Sequence, residues 1–210
     1  MDESSQLKQE LVKAGRRFSD RDLVVMTGGN LSARMPGSDE IIITPTGYDL
    51  GELELEHFVT VDLEGRQLAG ELKPSSELPM HLATYRVRPD ATVVFHLHPF
   101  FSNLMCALDE PIHFLTVDPA YYLLDIAYTE FQLSGTQELA ETVAEQAKHV
   151  NVVMLKHHGC LIIADSVKLA IVRAENLEVA ARSTYYARLL GKMADVPEIY
   201  MERARRLQGH

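Results

Sequence analysis

The chain has 210 residues, 46% of them hydrophobic, a formal net charge of −10 and two cysteines. That length supports one substantial core, so a single domain over residues 1–210 is expected. The acidic balance disfavours nucleic acid and anionic membrane surfaces as partners, and Cys106 and Cys160 are too few for a disulfide framework.

The polar start MDESSQLKQE lacks the apolar stretch of a secretory signal, and no apolar run reaches the length of a membrane span, so a cytoplasmic protein is expected. Leu7, Leu11, Val12 and Phe18 recur at helical spacing and predict an amphipathic first helix. After it, Thr27-Gly28-Gly29-Asn30-Leu31-Ser32 combines two glycines with an amide and hydroxyls. Such a loop can turn sharply and present donors to an oxyanion; a plain turn between helix and strand is the competing reading. Ile41-Ile42-Ile43 predicts a β-branched strand, broken by Thr44-Pro45-Thr46-Gly47. Residues 49–58 form an acidic connection with a short helical piece, followed by a strand at Val59-Thr60-Val61 and a turn at Glu64-Gly65-Arg66.

Ser75-Ser76-Glu77 opens the second main helix, where hydroxyls and free N–H groups at a positive helix end favour an anion, and Pro79 is tolerated in the first turn. This helix ends near Arg88, because the residue before Pro89 avoids helical geometry. Glu77 and His81 share a helical face at i, i+4. A strand over 92–98 follows, and side chains two apart on a strand share a face, so His96 and His98 project together as a pair of metal ligands. A helix is predicted over 100–108; from Glu110 to Leu133 the pattern is irregular, with Pro111 and Pro119 as breaks. A helix over 136–148 and a strand over 152–155 then deliver His157 and His158. Neighbouring side chains on an extended segment point oppositely, so one of these two joins His96 and His98. With the Glu77 carboxylate this makes three nitrogens and an oxygen, a donor set that suits Zn2+ and also admits Mn2+ or Co2+. A strand at 161–163, a long helix over 166–190 and a polar tail helix over 197–206 complete the chain. Strands and helices mix without regular alternation, which predicts an α/β fold, a three-layer α/β/α sandwich about a central mixed, largely antiparallel sheet.

Five segments in order, TGGNLSAR (27–34), ITPTG (43–47), KPSSE (73–77), HLHP (96–99) and KHHG (156–159), resemble the class II aldolase/adducin family over nearly the whole chain. Together they are specific for the family and not for a substrate. The resemblance implies a metal held by Glu77, His96, His98 and His158, with His157 a hydrogen-bonding neighbour and His81 either structural or a support behind the ligands. It implies a substrate phosphate held by Gly29, Asn30, Thr46, Gly47, Ser75 and Ser76. It further implies one Zn2+ per subunit, a sugar phosphate as small-molecule partner, and a homotetramer with sites at subunit interfaces. The implied activity is that of a metal-dependent aldehyde-lyase splitting a ketose 1-phosphate into dihydroxyacetone phosphate and an aldehyde through an enediolate, with Glu77 as the proton carrier. Relatives include sugar-phosphate 4-epimerases, keto-acid-phosphate decarboxylases and a methylthioribulose-phosphate dehydratase. An adducin-like binding domain is disfavoured because all four ligands are present. One departure stands out. At the position of a family tyrosine that acts as catalytic acid and base on the oxygen of the aldehyde half, Ile112-His113-Phe114 carries Phe114, whose phenyl ring can neither give nor take a proton. Either Tyr121, Tyr122 or Tyr128 substitutes, or the aldehyde is small and apolar, as from a 5-deoxy or 5-methylthio pentulose 1-phosphate, and water or His113 serves. Tyr200 is the tail's only tyrosine.

Overall fold

The structure, a computed structural model, describes residues 2–209. Eight strands form one sheet in the order β4 (Gln67–Ala69), β3 (Val59–Val61), β2 (Ile41–Ile43), β1 (Asn30–Arg34), β5 (Val93–Leu97), β8 (Gly159–Ala164), β7 (Val152–Leu155), β6 (Ile126–Thr129). Every neighbouring pair is antiparallel except β6 with β7. The expected mixed, largely antiparallel sheet is therefore present.

The central strands are apolar at nearly every position because both sheet faces are covered. Period-2 alternation divides their side chains between two cores. Val93, Phe95 and Leu97 of β5, with Cys160 and Ile162 of β8, meet α1 (Glu3–Asp20), α3 (Phe100–Ala107), α4 (Val117–Leu123) and α6 (Val167–Leu189). Val94, Val153, Leu161 and Ile163 face the other way, onto α2 (Leu78–Val87) and α5 (Gln137–Ala147). A last helix, α7 (Glu198–Leu207), packs on α4. The three layers are as the sequence predicts. Among the described residues no helix is long and apolar enough to cross a membrane.

Two sequence readings change. Pro119 does not break the chain but sits in the first turn of α4, where its missing N–H has no helical partner to lose. Asn30-Leu31-Ser32 is not a loop but the start of β1, which pairs with β5 so that Asn30 lies opposite His96. That register brings the TGGN segment to the histidine pair.

The chain just beyond His98 is fixed by a tertiary cap. Pro99 precedes α3 and offers no side-chain cap, so the Glu178 carboxylate of α6 accepts from the N–H groups of Phe101 (2.8 Å) and Ser102 (2.9 Å) and from the Ser102 hydroxyl (2.7 Å). A carboxylate at a helix N-terminus also meets the positive end of the helix dipole. Glu178→Ala should cost about 1–2 kcal/mol of stability, read as a lower urea midpoint at unchanged m; an unaltered midpoint would show that the cap carries no net stabilisation.

Candidate active site

The site assembles where β5, the turn entering β8 and the segment preceding α2 converge. His96 and His98 project from the end of β5, with their Nε2 atoms 2.8 Å apart. One nitrogen from each of His96, His98 and His158 lies within 4.8 Å of the other two. The His96 Nδ1–H donates to the Cys160 carbonyl at 3.1 Å, which leaves the Nε2 lone pair aimed at its partners. Glu77 completes the group: its Oε1 is 4.0 Å from His158 Nε2.

Burial keeps these imidazoles neutral. It holds His96 well below the ordinary histidine range, lowers His98 to about 4 and lowers His158, and the neighbouring rings add to the effect on His96 and His98. Burial pushes the Glu77 carboxyl up, opposed by the Gly135 backbone N–H. Glu77 Oε2 and His158 Nδ1 are buried with no hydrogen-bond partner. Three unprotonated imidazoles crowded around one point, beside a carboxylate with an unsatisfied oxygen, form a donor set that fits a divalent metal ion.

Local backbone explains how His158 joins. His157 is not extended; it occupies the left-handed region at φ 58° in the turn between β7 and β8, and the His158 N–H bonds back to the Leu155 carbonyl at 3.0 Å. This turn points His158 at His96 and leaves His157 exposed. Gly159 is dictated by close approach. A Cβ there would lie 2.5 Å from the Leu97 carbonyl oxygen, 2.6 Å from the His98 ring and 2.9 Å from the His96 ring.

Beside the imidazoles lies a polar cavity of about 200 Å³. Its wall includes Gly29, Asn30, Thr46, Gly47, Ser75 and Ser76, together with Glu77, His96, His98 and His158. Every predicted site residue thus borders one space. Two loops are laced to make it: Thr46 N–H donates to the Lys73 carbonyl and Ser75 N–H to the Thr44 carbonyl, both at 3.1 Å. The helix expected to open at Ser75 begins at Leu78; Glu77 holds the N-cap position without using its side chain as a cap, so its carboxylate stays available to the histidines. Ser134 also lines this cavity, a position that no sequence motif marks. Its Ser134-Gly135 pair reads only as an ordinary turn before a helix.

His98 and His158 also border a larger cavity of about 750 Å³, walled in part by Val25, Phe100, Phe101, Leu104 and Ala107. The two cavities thus meet at His98 and His158. Among the described residues, Phe114, Tyr121, Tyr122, Tyr128 and Tyr200 line neither space. Phe114 packs against the core, and the Tyr128 hydroxyl accepts from the Ile112 N–H at 3.0 Å. His113 is bound to Asp195 at 2.9 Å. His81 is fully buried behind the small cavity, with both ring nitrogens engaged by Asn30 and Ser32, so it does not reach the other three imidazoles.

Residues 9–185 match the family model described as the class II aldolase and adducin N-terminal domain. The chain belongs to this family. It is 33% identical over 185 residues to an L-fuculose phosphate aldolase of Methanocaldococcus jannaschii, covering 88% of this chain and 99% of that protein. It is 29% identical over 204 residues to a 5-deoxy-D-ribulose 1-phosphate aldolase of Bacillus thuringiensis serovar kurstaki, covering 97% of this chain and 96% of that one. Among solved structures, an L-fuculose 1-phosphate aldolase superposes with a TM-score of 0.90 at 31% identity, covering 98% of this chain and 97% of the other. These likenesses mark the chain as a class II aldolase-family protein with the fold of that family, and indicate an enzyme.

Two outcomes test the site itself. Gly159→Ala should lower both the urea midpoint and the affinity for a divalent metal ion, because a Cβ there meets the Leu97 backbone carbonyl as well as the His98 and His96 rings; an unchanged midpoint and unchanged metal affinity would contradict the close packing. The metal-free protein should lose stability as the pH falls from about 6.5 toward 4. His81 and His98 have folded values of about 3 and about 4 against an ordinary 6.5, so the unfolded chain takes up protons first. Glu77, shifted upward, opposes this, but two histidines outweigh one carboxyl. Urea midpoints in the presence of chelator should be lower at pH 5 than at pH 7, and equal midpoints would contradict buried neutral imidazoles.

Proposed function

We propose that this protein is a zinc-dependent aldolase that cleaves a ketose 1-phosphate into dihydroxyacetone phosphate and an aldehyde. The observation that carries the reading is the pair of cavities sharing His98 and His158: a small polar one suited to a phosphate and a larger, partly apolar one suited to the leaving half. Glu77, His96, His98 and His158 would hold the ion, which when bound supplies Lewis acidity to the substrate's carbonyl side.

The chain's own residues do the rest. The Asn30 amide and the hydroxyls of Thr46, Ser75 and Ser76, with backbone N–H groups at Gly29 and Gly47, would grip the phosphate and so fix where the C3–C4 bond lies. When that bond breaks, the electron pair goes to the dihydroxyacetone phosphate half as an enediolate, and Glu77, carrying a proton taken from water, delivers it to C3, which balances the proton that the C4 hydroxyl releases to water. A raised carboxyl is suited to that transfer, since it is more readily protonated near neutral pH than an exposed one. The C4 hydroxyl loses its proton to water on the side of the larger cavity as the aldehyde forms. Val25, Phe100, Phe101, Leu104 and Ala107 give this cavity an apolar stretch beside the charged Arg21, Asp22 and Arg182, which supports an aldehyde with an apolar end, as from a 5-deoxy or 5-methylthio pentulose 1-phosphate, alongside a fuculose-phosphate-like sugar. The likeness to the 5-deoxy-D-ribulose 1-phosphate aldolase of Bacillus supports the same choice.

The whole chain acts as one domain in this reading, in the cytoplasm, as a homotetramer whose sites lie at subunit interfaces. Val25, Met26 and Phe100 are 69%, 70% and 65% exposed near the cavity mouth, an apolar rim that a second copy would cover.

Zinc-loaded protein incubated with 5-deoxy-D-ribulose 1-phosphate or L-fuculose 1-phosphate should release dihydroxyacetone phosphate, detected by coupled reduction to glycerol 3-phosphate. Glu77→Gln should lower kcat by about 100-fold or more. Release of carbon dioxide from a keto-acid phosphate, or recovery of an intact epimerised sugar, without dihydroxyacetone phosphate from any ketose 1-phosphate, would replace the aldolase reading with the decarboxylase or epimerase one.

A further inference from the structure

Behind the small cavity runs a chain of buried polar side chains for which the proposed chemistry has no direct use. Asn30 is 6% exposed, and Ser32 and His81 are fully buried. Tyr85 is 1% exposed. His81 Nε2 lies 2.5 Å from Asn30 Oδ1, His81 Nδ1 lies 2.6 Å from Ser32 Oγ, and Ser32 Oγ lies 2.9 Å from the Tyr85 hydroxyl. Three of the four come from positions that a core would ordinarily fill with aliphatic side chains. Ser32 sits within a strand, between Leu31 and Ala33, and His81 and Tyr85 lie one turn apart on the inner face of α2.

The proton order along this chain is determined by donor chemistry. An amide oxygen only accepts, so the proton between His81 and Asn30 must be on His81 Nε2. A neutral imidazole carries a single N–H, so Nδ1 accepts from the Ser32 hydroxyl at 2.6 Å, the shorter of that hydroxyl's two acceptor contacts, the other being the Val94 carbonyl at 3.2 Å. Ser32 Oγ then takes its own hydrogen bond from Tyr85. Burial supports the neutral ring, lowering His81 to about 3. With Oδ1 occupied, Asn30 has only its NH2 group left to offer, and Asn30 lines the small cavity. The opposite order, with the proton on Nδ1, would turn the amide round and present an oxygen to that space.

We propose that His81, backed by Ser32 and Tyr85, is a positioning residue: the relay locks the Asn30 amide with its N–H donors toward the small cavity and so tunes that cavity for an oxyanion that turns an oxygen without hydrogen toward it, such as a phosphate. This rests on the reading of the small cavity as the phosphate site. It assigns α2 a second role in the site besides delivering Glu77 at its N-terminus. A cavity edge that can only donate binds an acceptor-only anion and rejects a ligand that places its own hydrogen there, because two donors would then face one another without an acceptor.

The test uses the full-length, zinc-loaded protein and inorganic phosphate as the probe, with dissociation constants from calorimetry and zinc content and Tm recorded for each variant. His81→Phe should weaken phosphate binding about tenfold or more, as expected for a charge-assisted hydrogen bond lost or reversed. His81→Gln, whose amide N–H can still donate to Asn30, should recover most of that loss, which a purely space-filling role would not produce. Ser32→Ala removes the donor to Nδ1 with little change in volume; it should weaken phosphate binding with zinc content intact, and it carries the test if His81→Phe does not fold. Nitrogen-15 NMR of the unaltered protein, with His81 assigned by its loss in His81→Gln, should show the Nε2–H tautomer. Unchanged phosphate affinity in Ser32→Ala and His81→Phe, or an Nδ1–H tautomer, would overturn the relay alone. No phosphate binding by the unaltered zinc protein would overturn the phosphate-site reading and the relay with it.

Discussion

The structure depends on keeping three imidazoles and one carboxylate, all largely withdrawn from water, unprotonated or unpaired at a single point of the sheet. Such a cluster is unfavourable by itself: rings that cannot be charged, set against a carboxylate oxygen without a donor, forfeit hydrogen bonds that water would have supplied. It persists because the surrounding fold overdetermines it. β5 is central in the sheet, its neighbours β1 and β8 are both antiparallel to it, and a one-residue slip would send His96 into the opposite core. Two apolar cores, one on each face, fix that register through more contacts than the cluster can disturb.

The same register explains why distant segments share one cavity. Pairing of β1 with β5 sets Asn30 opposite His96, and pairing of β5 with β8 sets Cys160 opposite Leu97, where its carbonyl receives the His96 ring proton. The isolated bridge between Pro45 and Pro74 then lays the Thr46 turn against Ser75. Asn30 and His96 are thus placed by strand pairing, and the Thr46 and Ser75 segments by the hydrogen bonds between them, so this part of the site is built into the fold.

Much of this was legible in the sequence for identifiable reasons. The H-x-H spacing on an apolar strand announces a shared face, and the ordered set of short motifs announces the family, so the sheet type and the residues that come together around the small cavity could be named. Less legible was what depends on tertiary pairing. Asn30-Leu31-Ser32 carries two polar residues around one leucine and so looks like a loop; its strand character comes from the neighbour it pairs with. The geometry of His157 could not be inferred from extended-chain alternation, because a left-handed turn residue rotates everything after it. Pro119 looks like a break yet sits in a first turn that tolerates it. The partners of His81 come from β1, some 50 positions earlier in the chain, and no local pattern signals them.

The central claim is that His96, His98, His158 and Glu77 form one metal centre. X-ray absorption at the zinc edge, on full-length protein purified with zinc and freed of loosely bound ion, addresses it most directly. The account predicts one zinc per chain with three imidazole nitrogens at about 2.0–2.1 Å and oxygen completing the coordination. Zinc that is absent, or held without imidazole, would contradict it.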